Sequence, residues 1–149
     1  MKSLMLFVAL LVAVASGCTP DPKSGEGFTL PDGDVARGQQ TFVRLQCHAC
    51  HTVSGVEFDK LESSEQRMIA LGGVTPRVRT YGDLVTSIIN PSHRFALGYA
   101  DEEIKQDGKS RMRLYNDVMT VTEMTDLVTF LQSHYKVEAY QPTPYMPYY

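Results

Sequence analysis

Cys47-His48-Ala49-Cys50-His51 decides how the rest of this chain is to be read. Two cysteines stand three positions apart, and a histidine follows the second directly. Several chemistries compete for such a pattern. A thioredoxin-like dithiol would sit among strands alternating with helices, and no such alternation surrounds it. A tetrahedral zinc ion would need further Cys or His ligands. Only Cys18 and the scattered His48, His93 and His134 remain to supply them. A plain disulfide between Cys47 and Cys50 would leave His51 without a purpose.

Covalent attachment of haem accounts for all three residues. On a turn that ends a helix, two thiols at this spacing reach the two vinyl groups of one haem and form thioethers. His51 then lies under the iron as the proximal ligand. The covalent bonds hold a cofactor that a small domain could not otherwise enclose. His48, between the cysteines, is expected to be exposed and without a role.

Working outward, residues 34–45 read as a helix capped by Asp34, with Val35, Phe42 and Leu45 on one face. Gly38 sits near that face. A glycine inside a helix costs about 1 kcal/mol relative to Ala, so it points to close approach by another backbone. A second strong helix is predicted over 120–136. Thr120 and Glu123 make its capping box, and Met119 is the apolar residue before it. Val121, Met124, Leu127, Val128, Leu131 and Tyr135 form its apolar stripe. A helix over 81–90 buries Leu84, Val85, Ile88 and Ile89 before Pro91 stops it. A shorter one is expected over 63–71, ending at Gly72-Gly73. No alternating strand stands out, and the predicted fold class is all-α.

The chain has 149 residues, 43% hydrophobic and 21% charged, which supports one core but hardly two. A formal net charge of -3 gives no electrostatic reason for nucleic acid as a partner. Met1-Lys2-Ser3 is a short positive start, and the apolar run from Leu4 to Ala15 follows it. That run is too short to span a bilayer, which takes roughly 20 apolar residues, but it suits the core of a secretory signal. Ala15-Ser16-Gly17 before Cys18 resembles the bacterial lipoprotein signal, in which the Cys receives lipid and becomes the mature N-terminus. A lone thiol would otherwise be a liability in an oxidising compartment. The cysteine count then closes, with one for lipid and two for haem.

Residues 1–17 are therefore read as a signal peptide and 18–33 as a lipid-anchored flexible linker rich in Pro, Gly, Asp and Ser. At about 3.1 Å per residue its extended reach is on the order of 45 Å. Residues 34–137 form the folded domain, and 138–149 a Pro- and Tyr-rich tail, either loosely draped or a docking segment. The expected location is exported and membrane-anchored, on the periplasmic or cell-surface side.

The stretch from 34 to about 136 resembles the class I c-type cytochromes, in a mono-haem, bacterial lipoprotein form. The resemblance is carried by the Gly38-x-x-x-Phe42 helix leading into Cys47–His51, a Met roughly sixty residues later, and the closing Leu127-Val128-x-Phe130-Leu131 helix. It implies a cytochrome c fold, with about three to five helices around one covalent haem c and one haem edge exposed. In that family the first and last helices cross at close contact, which would bring Gly38, Phe42, Leu127 and Phe130 together.

Electron-transferring haem c proteins usually bind iron with His and Met. Met112 lies in a loop before the closing helix, as the ligand Met does in the family, and is the leading sixth ligand. Met119 and His93 are the other options, with His134 a further bis-His candidate; Met124 belongs to the helix core. The resemblance also implies that a carbonyl near Pro76 orients His51, and that Tyr81, Tyr115 or Arg79 can hold the haem propionates. Lys109, Arg111, Arg113, Arg77, Arg79 and Arg94 would form a basic rim around the exposed edge.

The implied function is a single-electron carrier, not an enzyme, passing electrons between a donor and an acceptor among exported redox proteins. A permanent electron-transfer subunit of a larger membrane oxidoreductase complex is a second reading, with tether and tail as assembly elements. A haem enzyme or gas-binding protein with an open sixth position is a third. A two-haem peroxidase is excluded by the single motif.

Overall fold

Asp34 starts the first helix as predicted: its carboxylate accepts the backbone N–H of Arg37 at 2.7 Å, and α1 runs over Val35–Arg44. The computed structural model describes residues 24–25, 27–62 and 68–139. The signal segment, Cys18, the first part of the linker, residues 63–67 and the tail from Tyr140 lie outside the described residues. Gln46 ends α1 with a left-handed backbone (φ 56°), and the chain enters a tight 3-10 turn over Cys47–Ala49. Two further helices follow, α2 at Tyr81–Ile89 and the short α3 at Asp101–Ile104. The last, α4, is Val121–Ser133.

Capping explains where the longer helices begin. Thr80 and Asp83 form a reciprocal box on α2, and Thr120 and Glu123 form the expected one on α4. In the latter, Thr120 Oγ1 accepts from the Glu123 N–H at 3.2 Å while Glu123 Oε2 accepts from the Thr120 N–H at 2.9 Å. Met119 packs beside this start against the core.

The core lies where α1, α2 and α4 meet. Phe42, Leu84, Val85, Ile88, Leu127, Val128, Phe130 and Leu131 are buried there with Val53. The most extensive packing between elements is α1 on α4. Gly38 makes it possible: a Cβ on this residue would lie 2.6 Å from Cβ of Phe130 and closer still to the Asp126 carbonyl oxygen. One turn on, the rings of Phe42 and Phe130 are 5.8 Å apart at 57°. The meeting of Gly38, Phe42, Leu127 and Phe130 is as expected. Val35 and Val121 are not part of it, being 43% and 69% exposed. Each is the first residue of its helix and lies outside the crossing.

The absence of strands is corrected. Among the described residues, six short strands pair two by two: β1 His51–Val53 with β2 Ile69–Leu71 in parallel, β3 Gly73–Thr75 with β6 Tyr135–Val137 in parallel, and β4 Lys105–Gln106 with β5 Lys109–Ser110 antiparallel. The described end of the helix expected over 63–71 is thus β2. Gly72 and Gly73 both have positive φ (78° and 83°), so they turn the chain from one strand into the next rather than capping a helix. The closing helix also stops early. Ser133 Oγ and His134 Nδ1 turn onto the Phe130 carbonyl, and the Gly73 N–H takes the His134 carbonyl at 2.9 Å. Tyr135-Lys136-Val137, with two good strand formers, continues as β6. Asp107 (φ 52°) and Gly108 (φ 73°) make the two-residue turn between β4 and β5.

The linker is shorter than its composition suggests. Leu30 packs on the core, the Tyr81 hydroxyl donates to the Phe28 carbonyl at 3.0 Å, and Gly33 lies tight against α4 at Thr125 and Thr129. The apolar side chains of Phe28 and Leu30 draw the end of the segment onto the domain. At the other end, Glu138 still donates to the Thr75 carbonyl. Among the described residues no helix is long and apolar enough to cross a membrane.

Candidate haem site

The motif hangs directly from the α1 crossing. Because Gly38 and Phe42 fix α1 against α4, the turn that follows is held at one end of the helix pair. Cys47 is half-buried against the core and Cys50 is exposed; neither is in a disulfide. Burial pushes the Cys47 thiol up to about 11, so it is protonated at neutral pH. Two thiols outside any disulfide on one turn, one beside the core and one outward, form the donor set that two thioether bonds require.

His51 opens β1, and that pairing orients it. Ile69 stands opposite His51 in the parallel register, and its N–H donates to the Cys50 carbonyl at 2.8 Å. The Ile69 carbonyl in turn faces His51 Nδ1 at 3.3 Å, a long hydrogen bond in which the ring N–H must be the donor. Burial holds His51 below the usual histidine range, against the Ile69 carbonyl, which favours the protonated ring. The neutral tautomer with its proton on Nδ1 leaves Nε2 with a lone pair, the form that binds iron. The orienting carbonyl is therefore that of Ile69 rather than one near Pro76. Its chain neighbour Ala70 donates its N–H to the Tyr99 hydroxyl at 3.1 Å, which ties β2 to a second loop.

His48 is not exposed. It is 7% accessible, its ring lies 5.7 Å from that of Phe58, and its Nδ1 has no hydrogen-bond partner among the described residues. Phe58 in turn stacks on Phe42 at 5.1 Å. An aromatic residue beyond the motif thus folds back to cover it, a long-range contact that the spacing of the motif does not announce.

The loop bearing Met112 is brought to the same end of the molecule. Three residues past Met112, the Tyr115 hydroxyl donates to the Leu45 carbonyl at 3.0 Å, just before the motif. Met112 itself is half-buried, its N–H donating to Ser110 Oγ at 3.2 Å. Met119 and Met124 pack against the core. His93 is exposed, with Nδ1 directed at the Asn90 carbonyl. His134 places its ring edge on Phe130 at 4.7 Å, at the far end of α4.

The Tyr81 and Tyr115 phenols both give their protons to backbone carbonyls, those of Phe28 and Leu45. Neither proton is available to a propionate, whereas the Arg79 side chain is exposed. All six residues of the anticipated basic rim are exposed, but they are not equivalent. Arg94 pairs with Asp83 at 3.3 Å, Arg111 donates to the Glu102 and Glu103 carbonyls, and Arg113 lies over the Tyr115 ring. Among the described residues no three His, Cys, Asp or Glu side chains gather as a tetrahedral zinc ion would need.

Two reduced cysteines beside a carbonyl-oriented imidazole are a donor set suited to haem c. The cytochrome c family model matches residues 35–134, which include the whole motif and both crossing helices. The chain belongs to the cytochrome c family, as a class I c-type cytochrome with covalently bound haem c, and its work is haem-based electron transfer. No curated protein and no solved structure matches it.

Proposed function

We propose that this protein is a membrane-tethered, mono-haem electron carrier. Cys47 and Cys50 hold the haem by thioether bonds, and His51 and Met112 are its axial ligands. Bound there, the haem supplies a one-electron couple. The observation that carries the reading is His51 Nδ1 held on the Ile69 carbonyl, with two cysteines that form no disulfide on the turn before it. Met112 is preferred as the sixth ligand because Tyr115 draws its loop to the Leu45 end of α1, while Met119 packs against the core and His134 lies at the far end of α4.

Cys18 carries the lipid, and the segment up to about Phe28 is the tether. The partners are exported redox proteins, one giving and one accepting an electron. Exposed Lys109, Arg77 and Arg79 steer the domain toward acidic surfaces on them. Residues 34–137 form the electron-carrying domain, with the structured chain beginning a few residues earlier.

The visible spectrum of the oxidised, haem-loaded protein tests the ligand set. A low-spin spectrum with the weak long-wavelength band of Met-bound ferric haem is expected, and Met112→Ala should abolish that band. A high-spin spectrum in the parent protein would mean an open iron and would favour an enzyme or gas-binding role.

A further inference from the structure

The Met112 loop is secured to the rest of the domain by a small set of polar contacts. Ser110 donates its N–H to Ser92 Oγ at 3.0 Å. Asn116 Nδ2 donates to the Ile89 carbonyl at 3.0 Å. Tyr115 alone among these reaches α1, seventy residues back in sequence, where its hydroxyl meets the Leu45 carbonyl. That carbonyl needs an outside partner. It belongs to the C-cap of α1, beyond which left-handed Gln46 turns the chain away from the helix, so no following helical N–H can reach it. The Tyr115 carbonyl in turn accepts the N–H groups of both Val118 and Met119, so the residue is fixed at its backbone as well as at its tip. Burial, the largest cause, holds the phenol above the usual tyrosine range.

We infer that Tyr115 is a positioning residue for the sixth ligand. Its hydroxyl latches the Met112 loop to the end of the helix that delivers the attachment motif, so that this hydrogen bond ties the two sides of the haem site together. This rests on the assignment of Met112 as a ligand and extends it. The latch does not touch the iron. It opposes the opening of the loop that must occur before another ligand can replace Met112.

The measurement is imidazole binding to the oxidised, haem-loaded protein, followed by absorbance, in four forms: parent, Tyr115→Phe, Met112→Ala and the double variant. Tyr115→Phe keeps the ring, and with it the contact with Arg113, and removes only the hydroxyl. A net hydrogen bond of about 1 kcal/mol corresponds to roughly fivefold in the opening equilibrium, so imidazole should bind about fivefold more tightly to Tyr115→Phe. In the Met112→Ala background there is no methionine to displace, and the Tyr115 change should have no effect. An equal gain in both backgrounds would overturn the latch, because the hydroxyl would then be acting on the haem pocket generally. No gain in the Met112-containing protein would overturn it as well. The ligand assignment is read separately: if Met112→Ala alone leaves imidazole affinity at the parent value, Met112 is not the group displaced, and the assignment fails whatever Tyr115 does.

Discussion

Gly38 faces Phe130 across the α1–α4 crossing with no room for a methyl group, since a Cβ added there would sit 2.6 Å from Cβ of Phe130. The Asp126 carbonyl oxygen is nearer still, and being backbone in mid-helix it cannot rotate aside. Gly38→Ala would gain about 1 kcal/mol in helix propensity. Overpacking of this kind costs about 1–3 kcal/mol, and here the neighbour is rigid. The expected outcome is a net loss of about 2 kcal/mol, read as a lower Tm of the haem-loaded protein. A stabilised variant would mean that the helices can separate freely at this point.

Beside that contact, Asp126 holds the start of α1 from the opposite helix. Although 3% exposed, it accepts the Asp34 N–H at 2.7 Å and the Arg37 Nε and Nη2 groups at 2.8 and 3.1 Å. The Arg37 hydrogen bond, and after it that of the Asp34 N–H, keep the carboxyl below the usual carboxylate range. A depressed folded-state pKa means that this stabilisation is fully present above the unfolded value of about 3.9 and is lost as pH falls through the folded value. Asp126→Asn should therefore be less stable than the parent at neutral pH, and the difference should shrink below about pH 4. Urea denaturation across that range checks it. A difference that stays constant with pH would assign the loss to packing alone.

What could be read ahead of the structure was local in chain distance. Asp34, the Thr120–Glu123 box, Gly38 and the haem motif each act within a few residues or through one close helix contact. The short parallel strands are different. β1 and β2 pair His51 with Ile69, and β3 and β6 pair Gly73 with Tyr135, so neither carries a period of its own that could be recognised. The orienting carbonyl was misplaced for the same reason. Ile69 becomes the partner of His51 through strand register, which a proline-based expectation does not contain. His48 and Phe58 meet across an irregular segment. By contrast, Asp107-Gly108 is a legible hairpin signal flanking the Met112 loop, and it would have located β4 and β5 from the residues alone.

The proposed tether gives a direct test of location. If Cys18 carries lipid, the exported protein partitions with membranes and is released by detergent but not by salt. Cys18→Ser should move it to the soluble fraction with its haem spectrum unchanged, because Cys18 precedes the domain that Cys47, Cys50 and His51 serve. Fractionation followed by haem staining distinguishes the two. Membrane retention of the variant would show that something other than an acyl chain at Cys18 holds the protein there.

Electrostatic steering can be tested with a small anionic oxidant such as ferricyanide before any natural partner is known. The six basic residues of the proposed rim differ in what they already do. Arg94 is paired with Asp83 and Arg111 holds the α3 carbonyls, so reversing either charge would disturb structure together with field. Lys109 is exposed at the β4–β5 hairpin and is the cleaner probe. The screening length falls from about 10 Å at 0.1 M salt to about 3 Å at 1 M. The rate of electron transfer to ferricyanide should therefore drop as salt rises in that range, and Lys109→Glu should both slow the reaction at low salt and flatten its salt dependence. If the variant and parent give the same rate at every ionic strength, the positive residues near this loop do not face the point where electrons leave, and the steering assignment fails.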